Sequence, residues 1–565
     1  MSRCARAIGS VLLAGTLASA LAACSSSSSS GAPATPSSTT ASTTKTTPTT
    51  PTKCTPPAIA KPVVKKVAGV ASDWDLSSFD GTKIRLHWFP APGTSATHRE
   101  PTILMGPGWG QPGDTNTSTG AASGAGVIGA TTIASLWEAG YNVLTWDPRG
   151  FGQSTGTVEV DSAQFEGRDV TKLIDWVATR PNATLDQPGD PRLGMVGGSY
   201  GGGIQLVTAA IDCRVDAIVP VIAWHSLTTS LAKADTPKNG WASILIAATN
   251  GRSVDPHIPH AYKSSITSGS ISEADRTWFA QRGPGDLVAR VNIPTLIVQG
   301  TIDNLFTLDE GIQNYRILRD RGVPTAMMWF CGGHGVCLTK PGDPTRVQTA
   351  LINWLDRYVK GDSKVDIGPR FDFVDQNGTR YTADDYPLAA GTPVTAQGRG
   401  ILRLIPDGGS GPAHPPANSS DILAGIAGSI TPARATNAVE MNVGFKSAAV
   451  VVGAPELKLS YHGRVASGVS PTRVFAQLVD NASGIVIGNQ ITPIEVTLDG
   501  QEHSVTVPLE VIAFTAKAGA NITLQIVATS TAYAKPRLGG TIVLGAIHLS
   551  LPTAAALVPK PASRL

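Results

Sequence analysis

Apolar and polar positions follow two different periodicities along the chain. Between residues 83 and 361, short apolar runs typical of buried strands alternate with longer segments whose apolar residues recur at helical spacing. The predicted strands are 83–89, whose alternation is typical of an edge strand, and 102–105, 141–146, 192–196, 215–222, 294–299 and 325–330. The predicted helices are 131–139, 161–180, 308–321 and 346–359. Strands alternating with helices predict a mostly parallel sheet covered on both faces, so the fold class is α/β.

Two stretches depart from this alternation. Residues 224–289 are too long for a loop and contain only short helical stretches, so we predict a helical lid, or cap, inserted over the sheet. From about residue 392, short strands with period-two alternation are separated by turns rich in Gly, Pro and Asn, which predicts an all-β sandwich or jelly roll. A chain of 565 residues is too long for one hydrophobic core. We therefore place an α/β domain at 61–375 and the β-sandwich at 385–555.

The N-terminus has the pattern of a bacterial lipoprotein signal peptide, which we assign to residues 1–23. Two arginines precede an apolar run that is too short for a comfortable membrane span. The tetrapeptide that ends at Cys24 resembles a lipobox, in which the cysteine is acylated; an ordinary signal peptide cut nearby is the alternative. Residues 24–60 are rich in Ser, Thr and Pro, which predicts a disordered tether. We therefore expect a lipid anchor on Cys24 that holds the protein at the cell membrane, outside the cytoplasm.

Charge and cysteine content add two expectations. The net charge is only +3 and the basic residues form no stripe, so nucleic acid is not an expected partner. Export places the cysteines in an oxidising environment, where they can pair. Cys331 and Cys337 flank a candidate histidine in a Gly-rich segment, so we favour that disulfide, and Cys54 with Cys213 follows by elimination. Zinc is the other interpretation of this Cys/His cluster, but no fourth ligand lies nearby in the sequence, so no metal is predicted.

The sequence Gly-Gly-Ser-Tyr-Gly around Ser199 has the Gly-x-Ser-x-Gly pattern of a nucleophile elbow. It follows the predicted strand 192–196 and precedes a segment of helical composition, which is the context that such an elbow requires. Side chains beside so sharp a turn would collide with the strand or the helix, so the flanking glycines suit a nucleophilic serine. A glycine-rich turn with an idle serine is the alternative.

A serine nucleophile needs a base, and the base needs a carboxylate that orients it. Asp303 and His334 each follow the carboxyl end of a predicted strand, as Ser199 does, and these ends meet at one edge of a parallel sheet. Their order in the chain is the order Ser, Asp, His of α/β-hydrolases. Asp309 and Glu310 are rival acids in the first turn of a predicted helix. A rival base, His225, precedes the acid in the chain, which is the wrong order.

Two backbone donors are expected to form an oxyanion hole. One is the N–H of Tyr200, directly after the nucleophile, and the other comes from the loop 106–110, which contains Trp109. The Gly-rich segment 147–156 also follows a strand, but it lacks the Lys-Ser/Thr ending and the acid of nucleotide-binding motifs. We therefore predict a turn that shapes the pocket floor, and no cofactor.

The motifs in chain order resemble one family. Asp-x-Arg-Gly-x-Gly-x-Ser-x-Gly at 147–156, Gly-Gly-Ser-Tyr-Gly-Gly at 197–202 and Gln-Gly-x-x-Asp-x-Leu-Phe at 299–306 precede His334 and a jelly roll. This order is similar to that of the Xaa-Pro dipeptidyl-peptidase and cocaine-esterase-like family of serine hydrolases.

The resemblance implies an α/β-hydrolase fold with an inserted helical cap and a C-terminal β-sandwich that helps to wall the site. It also implies Ser199 as nucleophile, Asp303 as acid and His334 as base. The chain departs from the family in two respects. The family commonly offers a tyrosine hydroxyl to the oxyanion, whereas this loop contains Trp109, and cysteines around His334 are not a general family feature.

These observations lead to an extracytoplasmic serine hydrolase that works through an acyl-enzyme on a small peptide or ester substrate. The first hypothesis is a dipeptidyl-peptidase of Xaa-Pro type, which must bind a substrate amine with carboxylates. A carboxylesterase or amidase of cocaine-esterase type, which needs only an apolar acyl pocket, is the alternative. A non-catalytic surface protein whose sandwich binds glycan is a third hypothesis, against which the intact Ser, Asp and His argue. The candidate carboxylates for binding an amine are Asp161, Glu166, Asp235 and Asp255.

Overall fold

The computed structural model describes residues 54–55, 61–118, 131–343, 345–413, 427–555 and 557–560. The predicted signal peptide, Cys24 and nearly all of the predicted tether therefore lie outside the described residues. Every helix within the described ranges is too short or too polar to cross a membrane.

The first part of the described chain contains a large sheet with helices along it. Its strands are β1 (Val64–Lys66), β2 (Asp73–Ser77), β3 (Lys83–Phe89), β4 (Thr102–Gly106), β5 (Asn142–Trp146), β6 (Leu185–Gln187), β7 (Asp190–Pro191), β8 (Leu193–Gly198), β9 (Val215–Val221), β10 (Thr295–Gly300), β11 (Thr325–Phe330), β12 (Phe371–Val374) and β13 (Arg380–Ala383). Its helices are α1 (Ile133–Glu138), α2 (Glu166–Val177), α3 (Tyr200–Ile211), α4 (Leu227–Leu231), α5 (Asn239–Ala248), α6 (His257–Ser268), α7 (Glu273–Ala280), α8 (Leu308–Asp320) and α9 (Arg346–Tyr358).

In the described ranges, eleven of these strands form one sheet in the order β1-β2-β3-β5-β4-β8-β9-β10-β11-β12-β13. The strands from β5 to β12 in this order run parallel, while β1 to β3 and β13 pair antiparallel at the two edges. The central strands are fully buried apolar runs because helices cover both faces. Apolar residues of α2, α3 and α8 pack on one face, and those of α1 and α9 pack on the other.

The cap consists of α4 to α7, which lie in the chain between β9 and β10, as the sequence predicts for 224–289. The Ser272 side chain caps α7 by accepting a hydrogen bond from the Asp275 N–H. Helix α6 ends at Gly269, whose left-handed backbone (φ 73°) turns the chain toward α7. Local capping signals therefore explain why this segment forms separate short helices.

A β-sandwich follows the large sheet. Its strands are β14 (Val394–Arg403), β15 (Ala438–Gly444), β16 (Ala449–Gly453), β17 (Glu456–Val465), β18 (Arg473–Asp480), β19 (Val486–Glu495), β20 (His503–Pro508), β21 (Ile512–Ala516), β22 (Asn521–Val527) and β23 (Gly540–Leu551). In the described residues, β14-β23-β17-β20 and β15-β22-β18-β19 form two antiparallel sheets whose inner apolar residues share one core. The predicted fold class, an α/β-hydrolase fold with a helical cap and an all-β sandwich, is confirmed.

Three details differ from the sequence predictions. Strand β3 is not an edge strand, because β2 and β5 pair with it on either side. The polar pattern of β2 gave no strand signal, although its backbone completes the antiparallel pairing. The large sheet also continues past the predicted domain end at 375, through β13.

A disulfide ties the start of the described chain to the end of α3. Cys54 and Cys213 are bonded, with their Cα atoms 5.5 Å apart. The pairing is the one that elimination gives from the sequence.

Candidate active site

Ser199 stands at the sharp turn between β8 and α3. Its backbone has a positive φ of 55° with ψ −118°, a conformation that non-glycine residues seldom adopt. Its N–H donates to the carbonyl of Val221 in β9, which fixes the turn to the neighbouring strand. A Cβ on Gly201 would lie 2.2 Å from the carbonyl oxygen of Gly106, so only glycine lets β4 approach the first turn of α3 so closely. The turn has the form of the predicted elbow.

Ser199, His334 and Asp303 form one chain of hydrogen bonds. The Oγ of Ser199 lies 2.8 Å from Nε2 of His334, and Nδ1 of His334 lies 2.7 Å from Oδ2 of Asp303. Because a carboxylate accepts hydrogen bonds, Nδ1 carries the ring proton and Nε2 is left to accept the serine proton. The Asp303 side chain is fully buried. The arrangement suits a serine nucleophile, its base and an orienting acid.

The Asp303 carboxylate is held by backbone donors as well as by the imidazole. Its Oδ1 accepts the N–H groups of Leu305 (3.0 Å) and Phe306 (2.9 Å), and its Oδ2 accepts the N–H of His334 (3.1 Å). These donors lie on the loops that follow β10 and β11, which are neighbouring parallel strands. Three backbone donors thus fix the plane in which the carboxylate meets the imidazole.

The loop that carries His334 is closed by a disulfide. Cys331 and Cys337 are bonded, with their Cα atoms 5.7 Å apart. Gly333 has φ 116°, and a Cβ at this position would lie 2.7 Å from the Cβ and Oδ2 of Asp303. The close approach of the two loops therefore requires glycine at 333.

The two expected oxyanion donors are the N–H of Tyr200 and the loop that contains Trp109, and they differ in which N–H groups are free to donate. Tyr200 is the first residue of α3, so its N–H has no acceptor within the helix. The indole N–H of Trp109 donates to the carbonyl of Leu245 in the cap, at 2.9 Å. Donation from the Trp109 loop to an oxyanion therefore falls to backbone N–H groups. The Trp109 ring packs edge-on against the rings of Tyr200 and Phe151.

An apolar cavity of about 110 Å³ opens beside Ser199, between the sheet edge and the cap. Among the described residues that line it there is no aspartate or glutamate, and the charged one is Lys238. The Lys238 ammonium is occupied, because it donates to the carbonyls of Asn304 (3.0 Å) and Leu305 (2.8 Å). The apolar part of the wall includes Trp109, Val160, Leu227, Leu245, Ile258 and Phe306.

The carboxylates suggested for binding a substrate amine lie elsewhere. Asp161 and Glu166 are buried beside the Tyr200 hydroxyl and line a separate cavity of about 10 Å³. Asp235 is an exposed residue of the cap that pairs with an arginine, and Asp255 accepts the N–H of His257. The four carboxylates do not meet at Ser199.

Asp161 and Glu166 are held in an environment that disfavours their charge. Burial raises the pKa of Asp161 well above its ordinary value, with a further contribution from Glu166. Burial likewise raises the pKa of Glu166 to about 7. Glu166 accepts the N–H groups of Glu159 and Ser162, while neither oxygen of Asp161 has a hydrogen-bond partner in the described part of the chain.

The rival acids and base lie in another group of contacts. His225 donates its backbone N–H to Glu310, and its ring Nδ1 lies 2.8 Å from Asn314 Oδ1. Asp309 forms an ion pair with Lys233. None of these three rivals touches Ser199 in the described structure.

The Gly-rich segment 147–156 forms a turn at the base of the site. Asp147 accepts the N–H groups of Gly113 and Gln153, and Arg149 makes a buried bidentate pair with Asp169. Phe151 of the same segment packs against Trp109. The described residues contain no group of three or more His, Cys, Asp or Glu side chains arranged to hold a metal ion.

Sequence reasoning missed residues that surround the acid and base. The rings of Trp241 and Phe306 pack edge-on against the His334 imidazole at centroid distances of 5.7 and 5.0 Å. Lys238 and Gln490 donate hydrogen bonds to the loop that carries Asp303. Only Phe306 belongs to a motif, so the other three had no signal in the sequence.

A known protein family matches the part of the chain that contains this site. The profile of the family described as X-Pro dipeptidyl-peptidase (S15 family) matches residues 80–335, a span that contains Ser199, Asp303 and His334. The match to that family covers this part of the chain. The family suspected from the motifs is therefore confirmed, and its hydrolase character agrees with the hydrogen-bonded Ser, His and Asp.

Individual relatives are more distant. The polyketide transferase grgF of a Penicillium species is 28% identical over 151 residues, which are 26% of this chain and 44% of that protein. The chain spans less than half the length of the curated relatives that it matches.

Solved structures share the fold over most of the chain. An aminopeptidase from a marine sediment Thaumarchaeota archaeon has a TM-score of 0.65 at 14% identity, covering 90% of this chain and 98% of that one. A CocE/NonD family hydrolase from Staphylococcus aureus has a TM-score of 0.61 at 14% identity, covering 87% of this chain and 94% of that one. At this identity the likeness concerns the fold.

Proposed function

We propose that the protein is a serine hydrolase that forms an acyl-enzyme on Ser199 and acts on esters or amides with an apolar, uncharged acyl group. The observation that supports this substrate is the cavity beside Ser199, whose described wall is apolar and contains no carboxylate. A free amine entering it would lose its hydration and find no anion to replace it. An apolar acyl group would gain from the same burial.

The chemistry follows from the hydrogen bonds of the site. As Ser199 Oγ attacks the substrate carbonyl carbon, Nε2 of His334 takes its proton, and Asp303 stabilises the imidazolium through Nδ1–H. The Tyr200 N–H faces the oxyanion as one of two donors. His334 then gives the proton to the departing alcohol or amine, which leaves the acyl group on Ser199. Water attacks the acyl-enzyme, its proton passes to Nε2 and returns to Ser199, and the free acid departs.

A dipeptidyl-peptidase of Xaa-Pro type is the second candidate, and the family match over 80–335 supports it. Such an enzyme must bind a free α-amine close to Ser199. The polar side chains of the described cavity wall are hydroxyls, two indoles and the Lys238 ammonium, and none of them is an anion that could pair with the amine. This is why we rank an esterase or amidase first.

Two assays on the full chain test the proposal. A fluorophosphonate probe should label the protein, and Ser199→Ala should abolish labelling and lower turnover by about 10⁶-fold. Ser483→Ala, an exposed serine of the sandwich, is the matched control that should label normally. Labelling that persists in Ser199→Ala would exclude Ser199 as the nucleophile.

The second assay separates the two substrate classes. Aryl esters of apolar acids should be cleaved with a higher kcat/KM than a dipeptidyl-proline anilide with a free amine. The reverse order would favour the peptidase and contradict the apolar acyl substrate.

We further propose that Cys24 carries lipid and anchors the protein outside the cytoplasmic membrane, which the lipobox and the Ser/Thr/Pro-rich segment support. Mass spectrometry of the mature N-terminus should find an acylated Cys24. Cys24→Ser should release the protein from the membrane fraction, and an unmodified N-terminus at another residue would refute the anchor.

A further inference from the structure

The four consecutive carbonyl groups of residues 303–306, which we name the acid loop, each accept a hydrogen bond from a side chain. The Asp303 carbonyl accepts from Gln490 Nε2 at 2.8 Å. The next two carbonyls accept from Lys238 Nζ at 3.0 and 2.8 Å, and the fourth accepts from Gln299 Nε2 at 2.6 Å. The loop that carries the acid is therefore fixed on both sides of its backbone, because its N–H groups at 305 and 306 donate to the Asp303 carboxylate.

The three donors come from three separate parts of the fold. Gln299 belongs to β10 of the large sheet, Lys238 directly precedes α5 of the cap, and Gln490 belongs to β19 of the sandwich. All three side chains are buried. The acid loop is thus the place where the sheet, the cap and the sandwich make polar contact with one another beside the proposed triad.

Lys238 is an unusual donor because its ammonium is fully buried. Burial and, more weakly, the Lys233 ammonium lower the pKa of Lys238, while the carboxylates of Glu510, Glu310 and Asp303 oppose the shift. A buried cation is retained at a cost, which hydrogen bonds to two carbonyls offset. These two hydrogen bonds and the nearby carboxylate of Glu510 are the described interactions that offset the burial of this charge.

The sandwich also contacts the loop that carries the base. Asn489, the neighbour of Gln490, has a left-handed backbone (φ 53°) and donates from Nδ2 to the carbonyl of Val336 at 2.9 Å. Val336 lies within the loop that the Cys331–Cys337 disulfide closes. One bend of β19 therefore touches both loops whose side chains meet in the Asp303–His334 hydrogen bond.

We propose that Lys238 and Gln490 are positioning residues, through which the cap and the sandwich hold the Asp303 carboxylate in line with His334. The inference rests on the proposed function, in which Asp303 orients the base. A loop displaced by about 1 Å can cost on the order of 10²-fold in rate, because the base loses its alignment with the nucleophile. The sandwich is accordingly part of the catalytic unit, although none of its described residues lines the substrate cavity as the family resemblance implied.

The test measures kcat and KM for an apolar aryl ester in three variants of the full chain. Lys238→Met and Gln490→Met remove the donors with little change in size, and we expect kcat to fall about 10- to 100-fold while KM stays within about 3-fold. Gln490→Glu keeps the shape of the side chain and removes its N–H donor, so it should lower kcat in the same way if Gln490→Met does not fold.

Two buried donors elsewhere supply matched controls. Arg473 of the sandwich donates to the carbonyls of Gly269 and Asp235 in the cap, and Gln477 bonds within the sandwich. Arg473→Met and Gln477→Met should lower the melting temperature and leave kcat near that of the wild type. They separate a loss of stability from a loss of positioning.

Fluorophosphonate labelling of the wild type distinguishes the proposal from the proposed function. If the wild type is not labelled, the acyl-enzyme itself is wrong. If the wild type is labelled, an unchanged kcat in folded Lys238→Met and Gln490 variants overturns the positioning role. An equal loss of kcat in the controls would overturn it as well.

Discussion

Single residues in this protein are placed in environments that their sequence neighbours do not reveal. Glu166 accepts two backbone N–H groups and the Tyr200 hydroxyl within a buried pocket, next to Asp161. Two buried carboxyl groups so close together disfavour a second negative charge, in addition to the cost of burial. Both carboxyl groups lie beside the side chain of Tyr200, the residue that follows the nucleophile Ser199.

The raised pKa of Glu166 makes stability depend on pH. The pKa of Glu166 is about 7 in the folded protein, whereas its ordinary value, which applies to the unfolded chain, is 4.5. The folded protein therefore binds this proton more tightly than the unfolded chain does. Its stabilising contribution is therefore complete below pH 4.5 and is lost as the pH rises through 7, a change of about 3 kcal/mol. We expect Glu166→Gln to flatten the decline of the melting temperature between pH 5 and pH 8.

The control for this measurement is Glu440→Gln, an exposed residue of the sandwich. It should keep the pH dependence of the wild type. The amide in Glu166→Gln removes one acceptor, but that cost does not vary with pH. An undiminished pH dependence in Glu166→Gln would show that another group causes it.

At the scale of elements, the cap and the loop of the base contribute different parts of the site. Helix α5 supplies Trp241 against His334 and Ala242, Leu245 and Ile246 to the cavity wall. The loop between Cys331 and Cys337 supplies the base itself. The residues of α5 that line the cavity can therefore be changed without altering the loop that carries the base.

Ala242 offers a test of the acyl cavity. Ala242→Phe should fill space beside Ser199 and lower kcat/KM for a hexanoate ester by about 10-fold or more relative to an acetate ester. Ala247→Phe, on the exposed side of the same helix, should leave this ratio unchanged. Equal ratios in Ala242→Phe and the wild type would place the acyl group outside this cavity.

The Cys331–Cys337 disulfide should matter more for rate than for stability. Closing so short a loop contributes about 2 kcal/mol through the unfolded chain, whereas a mobile base would lose alignment with Ser199. We expect Cys331→Ser/Cys337→Ser to lower kcat by about 10-fold or more with a modest drop in melting temperature. Removing the Cys54–Cys213 bond is the comparison, and it should affect stability without a comparable loss of kcat.

At the scale of the whole molecule, one ion cluster joins the cap, helix α8 and the sandwich. Lys233 of the cap lies 2.8 Å from Glu510 of the sandwich and 3.3 Å from Asp309 at the start of α8. Glu510 is almost completely buried. A charge in such a place is tolerated because its partner is present.

Removing one charge of this cluster should therefore lower the free energy of unfolding more than removing two opposite charges. Lys233→Met leaves Glu510 buried without its nearest cation and should lower the free energy of unfolding by about 3 kcal/mol, measured by denaturant titration. Lys233→Met/Glu510→Gln should recover most of that loss. Lys458→Met, which breaks an exposed pair, should change stability by less than about 1 kcal/mol. A double variant as unstable as Lys233→Met would contradict the pairing argument.

The sequence by itself determined the order of the elements and the three residues, Ser199, His334 and Asp303, that hydrogen bonds connect in the site. Apolar periodicity reports which faces of a strand or helix are buried, and residues at the carboxyl ends of parallel strands must lie along one edge. Ser199, Asp303 and His334 each follow such an end, so their meeting could be inferred without coordinates. Strand β2 was missed because its polar residues lack that periodicity.

Only the tertiary structure decided what surrounds these three residues. Gln490 reaches the Asp303 carbonyl across 187 positions of sequence, and Lys238 reaches the same loop from the cap. The candidate carboxylates for binding an amine lie behind Tyr200 or in the cap, away from Ser199. The physical reason is that periodicity and motifs are local, whereas these contacts depend on how the sheet, the cap and the sandwich pack together. That packing sets both the apolar wall of the cavity and the hydrogen bonds of the acid loop.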